Sequence, residues 1–321
     1  MADKTNKNLT VPEVTVPSAT PDDLLKTTKT ESASIWWSIF HRLRRDRMAI
    51  VGLIIIIVVT LMAVFAKPLS MGNDPYYMLM PGEAPVEISR PELMPPVRNH
   101  LLGTDELGRD AWSRLLYGAR VSLFIGIVAS FLSVMIGTVV GLVAGYFSGW
   151  IDVIIMRFTD MMLCIPSLVL MVILSAILKG GVFQLILVIV AFGWMGSARL
   201  VRGQVLSLKE QEYIESAQAI GDSGRRIMFI HLLPNTMAPI IVTFSMSISG
   251  AIIHEASLSF LGLGIPQPIP SWGNMLSNSQ NYMFSAPWLI WWPGLAIFVT
   301  VLGFNFLGDG LRDALDPRLK L

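Results

Sequence analysis

Met48–Ala66 reads MAIVGLIIIIVVTLMAVFA, nineteen residues without a charge, directly after Arg42, Arg44, Arg45 and Arg47. At 1.5 Å per residue such a helix covers about 28 Å, close to the thickness of a bilayer's hydrocarbon core. Val64-Phe65-Ala66 has the small residues of a signal-peptidase site. The apolar run is longer than a signal peptide's, however, and it starts far from the N-terminus, so an uncleaved first span is expected. Working outward, further apolar runs lie at 121–145, 154–178, 182–198, 237–253 and 288–307. Six spans give an all-α integral membrane protein. Composition agrees: 53% of the 321 residues are hydrophobic and 15% charged, against roughly 25% charged in soluble domains. That excludes a wholly disordered chain.

Residues 1–40, rich in Thr, Ser, Pro and Lys, read as a disordered cytoplasmic tail, and 41–321 as the transmembrane domain. Arg157 and Asp160, at the start of the third run, are expected at headgroup level, where Arg snorkels, rather than as a buried ion pair. The segment 199–236 holds five Lys and Arg, and 254–287 holds none. The positive-inside rule then places 199–236 and both termini in the cytoplasm, with 67–120 and 254–287 outside.

No GxxxxGK[ST], HExxH or GxSxG occurs, and the four histidines are scattered. The single Cys164 makes no internal disulfide, and the net charge of +1 gives no reason to expect a nucleic-acid partner. Neither a catalytic site nor a metal site is expected. Gly137, Gly141 and Gly145 recur every fourth residue and open one helix face to close packing. Around 104–120, Trp112, Leu115, Leu116 and Ala119 share a face, and Asp105/Arg109 and Asp110/Arg114 are spaced as i,i+4 pairs. This predicts a solvated amphipathic helix on the outer surface, ahead of the second span. Trp272, Tyr282, Trp288, Trp291 and Trp292 suit an interfacial belt. Glu255 either attracts a peptide amine near a translocation mouth, with Trp272 and Asn274, or is a satisfied structural carboxylate.

Residues 209–235 predict an elbow. A helix has Tyr213, Ala217 and Ile220 on one face and Ile214 and Gly221 on another; Gly221 and Gly224 break it, and a second short helix from Arg225 stops at Pro234. Such an elbow packs on its own chain or meets another protein, and the residues alone leave both open.

Glu215-Ser216-Ala217, Gly221 and Leu233-Pro234 resemble the EAA loop of ATP-binding-cassette importer permeases: Glu-Ala-Ala, three residues, Gly, nine residues, Ile-x-Leu-Pro. Ser216 replaces Ala, and His231 stands where Ile is usual. Leu102–Leu123, Glu255–Gly264 continuing to Pro270–Asn274, and Gly308–Arg318 resemble the C-type permease of dipeptide, oligopeptide and nickel importers. The resemblance covers roughly 40–321. It implies the type I importer permease fold and no chemistry on this chain. It also implies a homologous permease as partner, two cytoplasmic ATPases that hold ATP and Mg, and an extracytoplasmic substrate-binding protein. The elbow would couple to the ATPases through Glu215, Ser216, Ala217, Gly221, Asp222, Ser223, Arg225, Arg226, His231, Leu233 and Pro234. Peptide is the implied solute, with nickel, glutathione or another small solute as alternatives within the family. A secondary transporter is the alternative of another class, and it would need charged midplane residues.

Overall fold

The computed structural model describes residues 41–80, 91–178 and 180–315; the tail at 1–40 lies outside the described residues. The chain divides into 1–42 and 43–321. Of the first unit only His41 and Arg42 are described, in a helical turn. Among the described residues of the second unit there is no strand, only isolated bridges between Val97 and His100 and between Thr104 and Asp110. Five helices are long and apolar enough to cross a membrane, and a bent pair makes a sixth span if counted as one.

Helix α1, Arg47–Val64, starts at Asp46, whose side chain accepts from the Met48 and Ala49 N–H groups at 2.9 and 3.3 Å. Its Gly52 lies against the backbone of Gly303 and Leu307 on α11, Trp288–Leu315. A short turn, α2, Ala66–Leu69, comes next.

Helix α3, Ala111–Phe147, corrects the expectation for 104–120: no separate surface helix exists. The amphipathic turns 111–120 are continuous with the second span. Asp110 is the N-cap, accepting from the Ser113 N–H at 2.7 Å and contacting His100 Nδ1 at 2.8 Å, so it does not pair with Arg114. Nor is the region solvated. Arg109 and Arg114 are both buried, and they share Asp105 at 2.7 and 3.2 Å. Arg109 also donates to Gln267, and Arg114 to the carbonyls of Pro75 and Pro268. Buried guanidiniums are tolerated only when so paired. Here they fasten the chain at Pro75 to the loop at Gln267 and Pro268.

The third expected span is broken. Helices α4, Gly149–Leu163, and α5, Ser167–Leu178, meet at 85° across Cys164–Pro166. Pro166 supplies the reason, because proline lacks the N–H that would continue α4's ladder. Asp160 pairs with Arg199 at 2.5 Å, both half-exposed. The next run is longer than expected: α6, Val182–Gly193, passes into α7, Met195–Lys209.

After α8, Glu212–Ala219, helix α9 runs Gly224–Phe260, so Pro234 does not stop it. A π turn at Ile227–Leu232 ends two residues before Pro234. Its wider hydrogen-bond ring eases the clash that a proline ring makes with the carbonyl four residues back. Helix α10, Trp272–Ser279, completes the set.

Helix α3 is the central element. It packs on α1, α6, α7 and α9. A Cβ on Gly141 would meet the Ala198 carbonyl at 2.5 Å, and one on Gly145 would meet Val205 at 2.7 Å; Gly137 lies against Trp194 and Ser197. The glycine face therefore admits α7 to backbone contact.

Candidate functional site: the elbow at 209–235

Lys209 ends α7 and ties it to the end of α3, donating to the Tyr146 carbonyl at 2.7 Å and to Ser148 Oγ at 3.1 Å. A cation at a helix C-terminus offsets the dipole there. From this anchor the chain turns at Gln211 into α8. Its inward residues are Ile214 and Ala217, both buried, and Ile214 joins Leu142, Val201, Val205, Ile227, Met228 and Leu232 in one apolar cluster. The face expected from Tyr213, Ala217 and Ile220 is not the buried one. Tyr213 is half-exposed, and Ile220 is 83% exposed at the tip.

Gly221 closes α8 with φ +88°. Its N–H donates to the Gln218 carbonyl and the Asp222 N–H to the Ala217 carbonyl, both at 3.0 Å. This is a Schellman cap, which requires the left-handed conformation that glycine adopts without a Cβ penalty. A Cβ there would touch nothing in this chain, so the backbone angle rather than packing demands glycine. Ser223 then caps α9, accepting from the Arg226 N–H at 3.4 Å. Gly224 is a closer fit: a Cβ would sit 2.8 Å from Tyr146 Oη.

Asp222 gathers the turn together. It contacts Arg226 Nε at 3.2 Å and His231 Nε2 at 3.3 Å. His231, which departs from the Ile of the EAA pattern, thus serves a polar contact across the elbow. Glu215, Ser216, Arg225, Arg226 and Pro234 are exposed, and Leu233 packs beside the apolar cluster. Phe229 and Ile230, on the π turn, are also more than half exposed. The surface thus combines exposed apolar side chains with arginines on a tightly capped turn. Sequence reasoning missed the Lys209 anchor, the Tyr146–Gly224 contact and the π turn. Nothing in local spacing marks them, because each joins distant segments or depends on helix register.

At the opposite end, Glu255, Trp272 and Asn274 are buried and occupied within the chain. Glu255 lies on α9 rather than in the loop, accepting from Ser259 Oγ at 2.9 Å and Ser122 Oγ at 3.1 Å. Trp272 belongs to the core rather than to an interfacial belt, and its indole N–H donates to the Leu115 carbonyl at 3.1 Å. Asn274 forms a capping box with Ser271 and donates to the Ile269 carbonyl at 2.6 Å. The geometry gives all three structural partners and leaves none open to a solute.

No group of three metal-ligating side chains occurs among the described residues of this glycine-packed bundle and its capped elbow. Comparison with known proteins names the arrangement. A family described as "Binding-protein-dependent transport system inner membrane component" matches residues 137–321, and "N-terminal TM domain of oligopeptide transport permease C" matches 34–96. This chain belongs to that permease family. It is a transport permease subunit with multiple membrane spans and not an enzyme. The chain is 41% identical to the oligopeptide transport system permease protein OppC of Bacillus subtilis, over 90% of this chain and 92% of that one. It is 43% identical to the dipeptide transport system permease protein DppC of Alkalihalophilus pseudofirmus, with the same shares. It is 42% identical to the glutathione transport system permease protein GsiD of Pectobacterium atrosepticum, over 89% of this chain and 92% of that one.

Proposed function

We propose that this permease is the C-type membrane subunit of an ATP-driven importer of oligopeptides or dipeptides. It forms the translocation path with a homologous permease, and two cytoplasmic ATPases dock on the elbow at 209–235. A substrate-binding protein delivers solute at the opposite face. Both termini and the elbow are cytoplasmic. ATP and Mg belong to the ATPases, and this chain binds no cofactor of its own.

The supporting observation is the Schellman-capped tip, where Ile220 stands 83% exposed beside Gly221, Arg225 and Arg226. An apolar side chain so placed on a rigid turn is suited to a pocket on another protein. Its base is packed through Ile214 against Leu142 of α3 and Val201 and Val205 of α7, so a push on the tip moves whole helices rather than a loose loop. Two states of the bundle, biased by the ATPases, suffice for transport. The glutathione permease relatives favour glutathione as a second solute within the same reading.

The test is the complete importer reconstituted in liposomes, with uptake of a tripeptide and of glutathione measured alongside ATP hydrolysis. Gly221→Phe should leave membrane insertion near normal. Uptake and substrate-stimulated ATP hydrolysis should fall together, while Gln211→Ala changes little. A Gly221→Phe importer that transports at the normal rate with its ATPases bound would remove the elbow from the coupling path.

A further inference from the structure

Arg109 and Arg114 lie together at the head of α3, and both side chains are buried. A guanidinium carries five N–H donors and accepts nothing, so burial obliges each nitrogen to find an acceptor. In Arg109 all three do. Nε donates to Asp105 Oδ2 at 2.7 Å, Nη1 to Gln267 Oε1 at 3.2 Å and Nη2 to Glu106 Oε1 at 3.3 Å. In Arg114 only two do. Nε faces Asp105 Oδ2 at 3.2 Å, and Nη1 donates to the carbonyls of Pro75 and Pro268 at 3.1 and 3.3 Å. Nη2 meets no acceptor among the described residues, although the residue is only 1% exposed. An unpaired buried donor of a charged group costs more than a made hydrogen bond returns.

Arg114 lines a small cavity of about 10 Å³, whose other polar residues are Asp105, Glu106, Asn278 and Ser279. That volume is about one water-sized sphere, and a water so enclosed needs two to four polar partners. Asp105 is already committed. Its Oδ2 serves the two arginines, and Oδ1 accepts from the Leu107 and Arg109 N–H groups at 3.0 and 2.9 Å. The Asn278 side chain makes no hydrogen bond among the described residues. Ser279 Oγ donates to the Met275 carbonyl at 2.7 Å and keeps its lone pairs. Glu106 has a second carboxylate oxygen besides the one on Arg109. Charge argues against an ion here: the two arginines repel a cation, and Asp105 and Glu106 repel an anion.

We propose that one water molecule binds in this cavity, accepting from Arg114 Nη2 and donating to Glu106 and Asn278. It gives the buried guanidinium its third acceptor. It also joins the last turn of α10 to the head of α3. The first turn of α10 reaches α3 directly, through the Trp272 backbone and indole N–H groups, which donate to Ser122 Oγ at 3.2 Å and the Leu115 carbonyl at 3.1 Å. Helix α10 is thus fastened to α3 at both ends, by protein contacts at one and by bound solvent at the other.

Cryo-electron microscopy of the complete importer, at a resolution that shows ordered waters, tests the site. One isolated peak should lie within hydrogen-bond distance of both Arg114 Nη2 and Asn278, and it should persist when chloride in the buffer is replaced by gluconate. No peak, an Nη2 in direct contact with a protein oxygen, or a peak that leaves with chloride overturns the water. The second arm uses melting temperatures of the detergent-purified importer. The Asn278 amide has no other partner among the described residues, so removing it reads the bridge. Asn278→Leu should melt about 2 °C lower, the loss of roughly one hydrogen bond. Asn281→Leu, at an exposed position just beyond α10, should not. Equal melting of the two variants overturns the link to α10.

Discussion

Glu106 shows how a single residue in the loop ahead of α3 carries a pH signature. Its carboxyl sits above the ordinary carboxylate value, first because burial disfavours the charged form and second because Asp105 is adjacent. Arg109 at 3.3 Å only partly offsets this. A raised carboxyl binds its proton more tightly in the folded than in the unfolded chain. The stability it contributes is present below the ordinary value and is lost as pH rises through the raised one. Glu106→Gln, which resembles the protonated form, should therefore gain on the unaltered protein as pH rises. Melting temperatures of the detergent-purified importer at roughly pH 5 and pH 8 check this, since the ordinary Glu value lies near the lower of the two. A difference between the proteins that shrinks at the higher pH would contradict it. The same scale explains Gly221: the angle of +88° ends α8 in a cap, and this local demand exists whether or not an ATPase is bound.

Helix α3 shows what one element does for the others. Small residues along it let α7 and α9 approach: Gly137, Gly141 and Gly145 toward α7, and Gly126 toward Ile252. In lipid there is no hydrophobic drive between helices, so association rests on dispersion contacts that fall off steeply with separation. Gly141→Leu should hold α3 and α7 apart and reduce the yield of assembled importer. Val139→Leu, on the exposed face, should not. Co-purification yields of the two variants measure it, and equal yields would remove the packing role. Since α7 leads directly into the elbow, a looser α3–α7 contact should also weaken coupling of ATP hydrolysis to transport.

For the whole molecule the central expectation is orientation. The elbow side carries Lys209, Arg225 and Arg226, and the opposite side is fastened by neutralised pairs around Arg109 and Arg114. In a Cys164→Ser chain, cysteines replacing Tyr76 and Asn281, both exposed, should react with an impermeant thiol reagent in intact cells whose outer membrane, where present, has been permeabilised. A cysteine replacing Arg225 should react only after lysis. Labelling at 225 with silence at 76 and 281 would invert the topology.

The sequence by itself determined the features that depend on neighbours in the chain. Met48–Ala66 is a span because nineteen uncharged, almost wholly apolar residues in a row have few other destinations. The glycine stripe is visible because helical period fixes a face. Gly221 marks a turn because no other residue adopts its backbone as readily. Tertiary structure alone decided the pairings. Asp110 is spaced correctly for Arg114, but the helix begins just after it, so its carboxylate caps the N-terminus and Asp105 takes both arginines. Glu255 meets Ser122 from 133 positions away, and no local pattern records that contact. Pro166 stands at the end of a helix, whereas Pro234, Pro239 and Pro293 lie within helices that continue past them. Hydropathy and backbone preference act within a few residues and survive in the linear sequence. Charge pairing, burial and helix register are settled only when distant segments compete for the same partners in the folded chain.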